Sequence, residues 1–242
     1  MIRLSCDDLV LFIGDSITHG GRGASMDMNH IMGHGYAEMV AARLAADNLA
    51  RMPRFANKGI SGDTTRHILD RWQEDVIALR PTHVSLLVGV NDIHADLSLP
   101  AEEAAAGYLS RVEKMLQDTS KTLPGVRLFL CEPFFADVRN QEAPFEKIPH
   151  PLCEKPVSFS NASRDESRIC ELTRRMHMLQ AALPDLAARF GAVYIPLQDV
   201  FDRAGKQVPM SYLIWDNIHP TMAGHRLIAD RWMEIAEQHL CR

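Results

Sequence analysis

The sequence predicts a three-layer α/β/α sandwich around a parallel sheet of about five strands. Three observations carry this expectation: short apolar runs alternate with segments of helical period, two of the runs stop at glycine, and no internal repeat interrupts the order. Strands joined through helices imply right-handed crossovers, which cover both faces of the sheet.

The elements follow in order. Residues 9–13 are a continuous apolar run that stops at Gly14-Asp15-Ser16-Ile17-Thr18, a first strand giving way to a loop. Residues 36–46 carry Met39, Val40, Leu44 and Ala45 at helical spacing, and residues 54–57 offer a short second strand before Lys58-Gly59-Ile60-Ser61-Gly62. Asp63 is expected to cap the next helix, which runs through Ile68, Leu69, Trp72, Val76 and Ile77 until Pro81 breaks it. Residues 82–88 form a β-branched third strand ending at Gly89. An amphipathic helix over 101–119 places Tyr108, Leu109, Val112, Met115 and Leu116 on one face, and the Pro124-Gly125 turn leads to a fourth strand over 126–131. Residues 167–189 are helical, with an interruption expected at Pro184, residues 192–195 are a fifth strand, and a closing helix runs from about 221 to 240. Residues 134–161 hold Pro144, Pro149, Pro151 and Pro156 and little periodicity. A loop of that length reads as a lid, a binding loop, a disordered stretch or a surface excursion against a partner subunit.

At 242 residues, 46% hydrophobic and 24% charged, the chain suits one domain spanning 1–242 with an irregular insertion at about 134–161. A net charge of -5 gives no basic field for nucleic acid or an anionic membrane. The five cysteines are odd in number, scattered and without Cys-x-x-Cys spacing, which points to reduced structural thiols. The chain holds no run of some 18 apolar residues and no apolar stretch before Asp7-Asp8, so a cytoplasmic protein without a membrane partner is expected; a chain trimmed of a leader would read the same.

In open parallel sheets the ligand crevice lies beyond the carboxyl ends of the strands, where Ser16 falls. A serine alcohol is a poor nucleophile until a base accepts its proton. Near the other end stands Trp215-Asp216-Asn217-Ile218-His219-Pro220, whose spacing sets a carboxylate and an imidazole on one turn, the first able to orient the second. Acyl transfer also needs donors aimed at the oxyanion. The strand ends supply the Ser16 and Gly62 backbone N–H groups and the Asn91 side-chain amide.

Each of these residues also has an ordinary structural reading. Ser16 suits a helix cap, Asn91 a turn, Gly62 a positive φ angle, His219 a cap or surface position, and Asp216 a turn. Asp15 and Asp92 are expected to bond loop backbone. His30 and His34 are four apart but lack the His-Glu-x-x-His glutamate, so they read as exposed or substrate-side and no metal is expected. Gly20, Gly21 and Gly23 match neither nucleotide-binding pattern, so no cofactor is expected. Tyr36, Trp72, Phe134, Phe135 and Trp215 read as core rather than site.

Four blocks in order, Gly14-Asp15-Ser16, Gly59-x-x-Gly62, Gly89-x-Asn91-Asp92 and Asp216-x-x-His219, resemble the SGNH family of GDSL esterases and lipases. The resemblance covers about residues 10–225 and implies a flavodoxin-like sandwich, with Ser16 as nucleophile, Gly62 and Asn91 as oxyanion donors, and Asp216 and His219 completing a triad. A narrower similarity joins the stretches 14–22, 57–64, 71–76 and 219–225 to the acetylxylan esterases and related carbohydrate deacetylases. It implies removal of acetyl groups from a small-molecule or oligosaccharide ester. Lysophospholipase, thioesterase and acyltransferase activities use the same residues, a non-catalytic carbohydrate-binding scaffold is the reading from another class, and homo-oligomerisation stays open.

Overall fold

The computed structural model describes residues 2–23, 27–139, 141 and 165–240. In chain order the elements are β1 (Leu9–Gly14), α1 (Ser16–His19), α2 (Tyr36–Asp47), β2 (Arg54–Asn57), α3 (Thr65–Asp70), β3 (His83–Leu87), α4 (Val90–Ala95), α5 (Ala101–Thr122), β4 (Arg127–Cys131), α6 (Glu166–Arg189), β5 (Val193–Ile195), α7 (Gln198–Ala204) and α8 (Met222–Leu240). The sheet is parallel in the order β2-β1-β3-β4-β5, with helices on both faces. α2 packs with α8, while α5 packs with both α3 and α6.

The strand order fixes where chemistry can sit. From β1 the chain steps one way to β2, then crosses back over β1 to β3 and continues outward, so a crevice opens between the carboxyl ends of β1 and β3. Register sets Gly14 beside Leu87, which aligns the ends of those two strands. Ser16 leaves the first and Asn91 the second.

The strands are apolar because both faces are covered. Leu11, Phe12 and Ile13 of β1 and Leu86 and Leu87 of β3 are buried, each worth about 1.5–3 kcal/mol of transfer free energy. Buried polar atoms in this core find partners: the Trp232 indole donates to Ser85 Oγ at 3.0 Å, and Trp72 donates to Thr119 Oγ1 at 2.9 Å.

Three expectations are corrected. Asp63 does not cap α3. Thr64 does, in a reciprocal capping box with His67, because the Asp63 carboxylate is taken by Arg71 at 2.8 Å. The helix expected to continue to Ile77 stops at Asp70 and resumes as a π-turn over Gln73–Ile77, closed by Ala78 N–H to Gln73 O at 2.9 Å. Pro184 does not interrupt α6: Leu183, Leu186 and Ala187 are buried around it, and their combined burial outweighs the roughly 3 kcal/mol a mid-helix proline costs.

α4 and α7 were not foreseen. In the proline-rich stretch, Phe134, Phe135, Ala136 and Val138 are buried, and Gln141 Oε1 accepts from Ser211 N–H at 2.9 Å. Residues 140 and 142–161 of that expectation lie outside the described residues.

Candidate active site

Ser16 is the first residue of α1, but its hydroxyl is not a cap. Asp15 holds the cap position and accepts from Ile17 N–H at 2.9 Å, leaving Ser16 Oγ 2.8 Å from His219 Nε2. The turn after Ser16 is held against the second block. Asn57 donates from Nδ2 to Thr18 O at 2.7 Å and accepts from Gly59 N–H at 2.8 Å, and Arg22 Nε donates to Gly59 O at 2.8 Å. A Cβ at Gly59 would strike the His19 backbone, so only glycine lets the two turns approach.

His219 and Asp216 share one tight loop. Ile214 and Pro220 form an antiparallel bridge, and Trp215 N–H donates to His219 O at 3.0 Å inside it. Within the loop Asp216 uses both carboxylate oxygens: Oδ1 accepts from Ile218 N–H at 3.1 Å and His219 N–H at 2.7 Å, while Oδ2 lies 2.6 Å from His219 Nδ1. A carboxylate only accepts, so Nδ1 carries the proton and Nε2 presents its lone pair to Ser16 Oγ–H. Asn217, in the left-handed region at φ 76, clips this loop to the chain after β4: its Nδ2 donates to Ala136 O at 2.8 Å, and its carbonyl accepts from Ala136 N–H at 3.1 Å.

The predicted oxyanion donors Gly62 and Asn91 follow the ends of β2 and β3, the two strands that flank β1. Ile60 N–H donates to Gly14 O at 3.0 Å, tying the Gly59–Gly62 turn to the end of β1. Gly62 has φ +86, with open space where a side chain would stand, so its glycine is required by backbone conformation and not by crowding. Asn91 lies in the first turn of α4 and donates one Nδ2 proton to Asp63 O at 3.0 Å, which orients the amide and leaves its second N–H available.

Electrostatics distinguish the titratable groups around His219. Burial alone would lower the pKa of His219, but the hydrogen bond and charge of Asp216, with a smaller contribution from Asp15, outweigh it and raise the pKa above its ordinary value. Asp15 is 1% exposed, and burial pushes its carboxyl up to about 7. Asp92 is also buried. Its carboxylate accepts from Thr65 N–H at 3.0 Å and from Arg111 at 3.2 Å, so backbone bonding is only part of its role.

Residues 12–227 match the GDSL-like lipase/acylhydrolase family model. The chain belongs to this family. It is 28% identical over 232 residues to an acetylxylan esterase from Geobacillus stearothermophilus, covering 94% of this chain and 93% of that protein. Among solved structures, a GDSL-like lipase described as putative from Parabacteroides merdae superposes with a TM-score of 0.78 at 28% identity, covering 97% of each chain. The Geobacillus stearothermophilus acetylxylan esterase Axe2 does so with 0.72 at 26% identity, covering 96% of this chain and 94% of that one. As a GDSL-family acylhydrolase the chain is a carboxylic ester hydrolase.

Among the residues singled out from the sequence, Ser16, Asp216 and His219 form one connected chain, and Asn91 is oriented by the segment that follows Gly62. Tyr36, Trp72, Phe134 and Phe135 are core residues. Trp215 is not: it is half-buried, with its indole stacked on the His219 ring at 5.6 Å and 22°. Its place beside Asp216 was the available signal. Asn57 also escaped the sequence reading, and only its position at the end of the second strand, two residues before Gly59, hinted at a bracing role. His30 and His34 meet edge to face at 5.1 Å, and no cluster of three or more metal-ligating side chains occurs among the described residues. No helix there is long and apolar enough to cross a membrane.

Proposed function

We propose that this GDSL hydrolase removes short acyl groups, acetyl foremost, from a carbohydrate through an acyl-enzyme on Ser16. The observation that carries the reading is the chain Ser16 Oγ, His219 Nε2, His219 Nδ1, Asp216 Oδ2, at 2.8 and 2.6 Å. His219 takes the Ser16 proton as Oγ attacks the ester carbonyl, then returns it to the leaving alcohol; water, activated by the same imidazole, frees the acid. Asp216 holds the tautomer and stabilises the imidazolium. The Ser16 and Gly62 N–H groups and the free Asn91 N–H receive the oxyanion. Acetylated sugar as substrate is supported by the likeness to the acetylxylan esterase over nearly the whole chain.

The test is acetate release from acetylated xylooligosaccharides alongside hydrolysis of nitrophenyl esters of two to eight carbons. Both activities are expected to vanish in Ser16→Ala, with rates highest for acetyl. Asn91→Ala should lower kcat by about a hundredfold to a thousandfold with little change in KM. Undiminished turnover in Ser16→Ala contradicts the mechanism, and a rate that rises toward eight carbons contradicts the substrate.

A further inference from the structure

Beside the triad lies a cavity of about 230 Å³, lined by His94 on α4, Phe135 after β4, Arg168 and Leu172 on α6, and Asp216 and Asn217 of the histidine loop. The volume falls below the roughly 300–1,000 Å³ of pockets that take drug-sized ligands. It is of a size for one small ring rather than a long acyl chain.

Its position ties it to the reacting centre. Asn91 and His94 are three residues apart on α4 and share a face of that helix, so the element that aims an oxyanion donor also supplies a cavity wall. On the other side Ile218, also a lining residue, immediately precedes His219.

The lining is chemically divided. Phe135, Ile169 and Leu172 make an apolar side, while Arg168, His94 and Asn217 bring polar groups. An acyl pocket would be apolar throughout. Two of the lining residues have a buried side-chain atom, His94 Nε2 and Asn217 Oδ1, with no hydrogen-bond partner among the described residues, a condition that costs about 1–3 kcal/mol each. Asn217 Oδ1 needs a donor, whereas His94 Nε2 needs either a donor or an acceptor according to its tautomer. A hydroxyl answers both needs. Burial, with a smaller contribution from the charge of Arg168 and against the opposing charge of Asp216, also holds the pKa of His94 below its ordinary value, which favours the neutral ring.

We infer that this cavity is the subsite for one sugar ring of the substrate, its apolar side taking the C–H face and His94, Arg168 and Asn217 reading the hydroxyl rim. This rests on the acetyl-sugar reading above and assigns that reading a place. Bound there, the ring is held next to the loop that carries His219.

The experiment compares wild type, Arg168→Ala and His94→Leu, each checked for an unchanged far-ultraviolet spectrum and melting temperature. The substrates are acetylated xylooligosaccharides, nitrophenyl acetate and nitrophenyl butyrate. Loss of a hydrogen bond from a charged or buried group should raise KM for the sugar ester at least about tenfold more than for nitrophenyl acetate, with kcat less affected. Equal losses on all three substrates overturn the subsite, and a loss concentrated on butyrate overturns it in favour of an acyl pocket. Wild type that cleaves nitrophenyl acetate but no acetylated sugar overturns the substrate reading and the subsite together, a result separable from the other two because it needs no variant.

Discussion

His219 and His225 stand six residues apart, one in the loop before α8 and one in its first turns, yet their environments drive them in opposite directions. Both are partly shielded from water, which by itself disfavours the charged ring. His219 faces the Asp216 carboxylate and has its pKa raised. His225 has no such partner among the described residues. Its Nδ1 accepts from Tyr36 N–H at 3.2 Å, supplying the first turn of α2 with the acceptor that the cap residue Gly35 lacks, and burial with the repulsion of His219 lowers it to about 4. The same side chain thus holds a proton more readily in one place and acts as a structural acceptor in the other. The partner, not the depth, decides which.

Breaking the first half of this contrast gives the largest expected effect. Asp216→Asn keeps a side chain of the same shape but removes the charge and the preference for Nδ1–H, so kcat should fall by about 10⁴. Without the carboxylate, burial is left to dominate His219, and the acid limb of the residual kcat/KM should shift to lower pH than in wild type. A rate within tenfold of wild type, or an unmoved limb, would show that Asp216 does not orient this base.

The second effect needs no substitution. A base whose pKa is raised works only when deprotonated, so kcat/KM on nitrophenyl acetate should drop about tenfold per pH unit below a limb lying above 6.5. A limb below 6.5 would place His219 in the same class as His225.

The smallest effect belongs to His225 and concerns stability. Its folded pKa near 4 lies below the 6.5 of an unfolded imidazole, so as pH falls the unfolded chain binds the proton first. The stabilisation His225 gives is therefore complete above 6.5 and is lost as pH falls through 6.5 toward 4. At pH 7.5, His225→Ala should cost about 1–3 kcal/mol in urea unfolding, because Tyr36 N–H loses its acceptor. That deficit should narrow at pH 5, where only the wild type is losing stability to proton uptake by its unfolded state. A deficit independent of pH would mean that the ring acts through packing alone.

The sequence made the long-range order of this molecule legible because its signals were local and repeated. β2 matches the expected 54–57 at both ends, and α2 and β4 shift by a single residue at one end. The hydrogen-bonded chain of Ser16, His219 and Asp216 was readable because Asp216 and His219 lie within one turn and Ser16 follows a buried run. What stayed hidden depended on contacts distant in sequence. Thr64 rather than Asp63 caps α3 because Arg71 reaches back for the Asp63 carboxylate. α4 and α7, of six and seven residues, are too short to show a helical period. Trp215 looked like core because an indole's burial is invisible to composition, and its stacking on His219 exists only once the loop has closed. The acceptor role of His225 belongs to the same class, since its partner lies 189 residues away.

The central claim is that Ser16 is made nucleophilic by His219. The direct measurement is intact mass after incubation with a fluorophosphonate at neutral pH. Wild type should gain one adduct, and Ser16→Ala none, with its fold intact. An unlabelled wild type, or equal labelling of Ser16→Ala, would contradict the account.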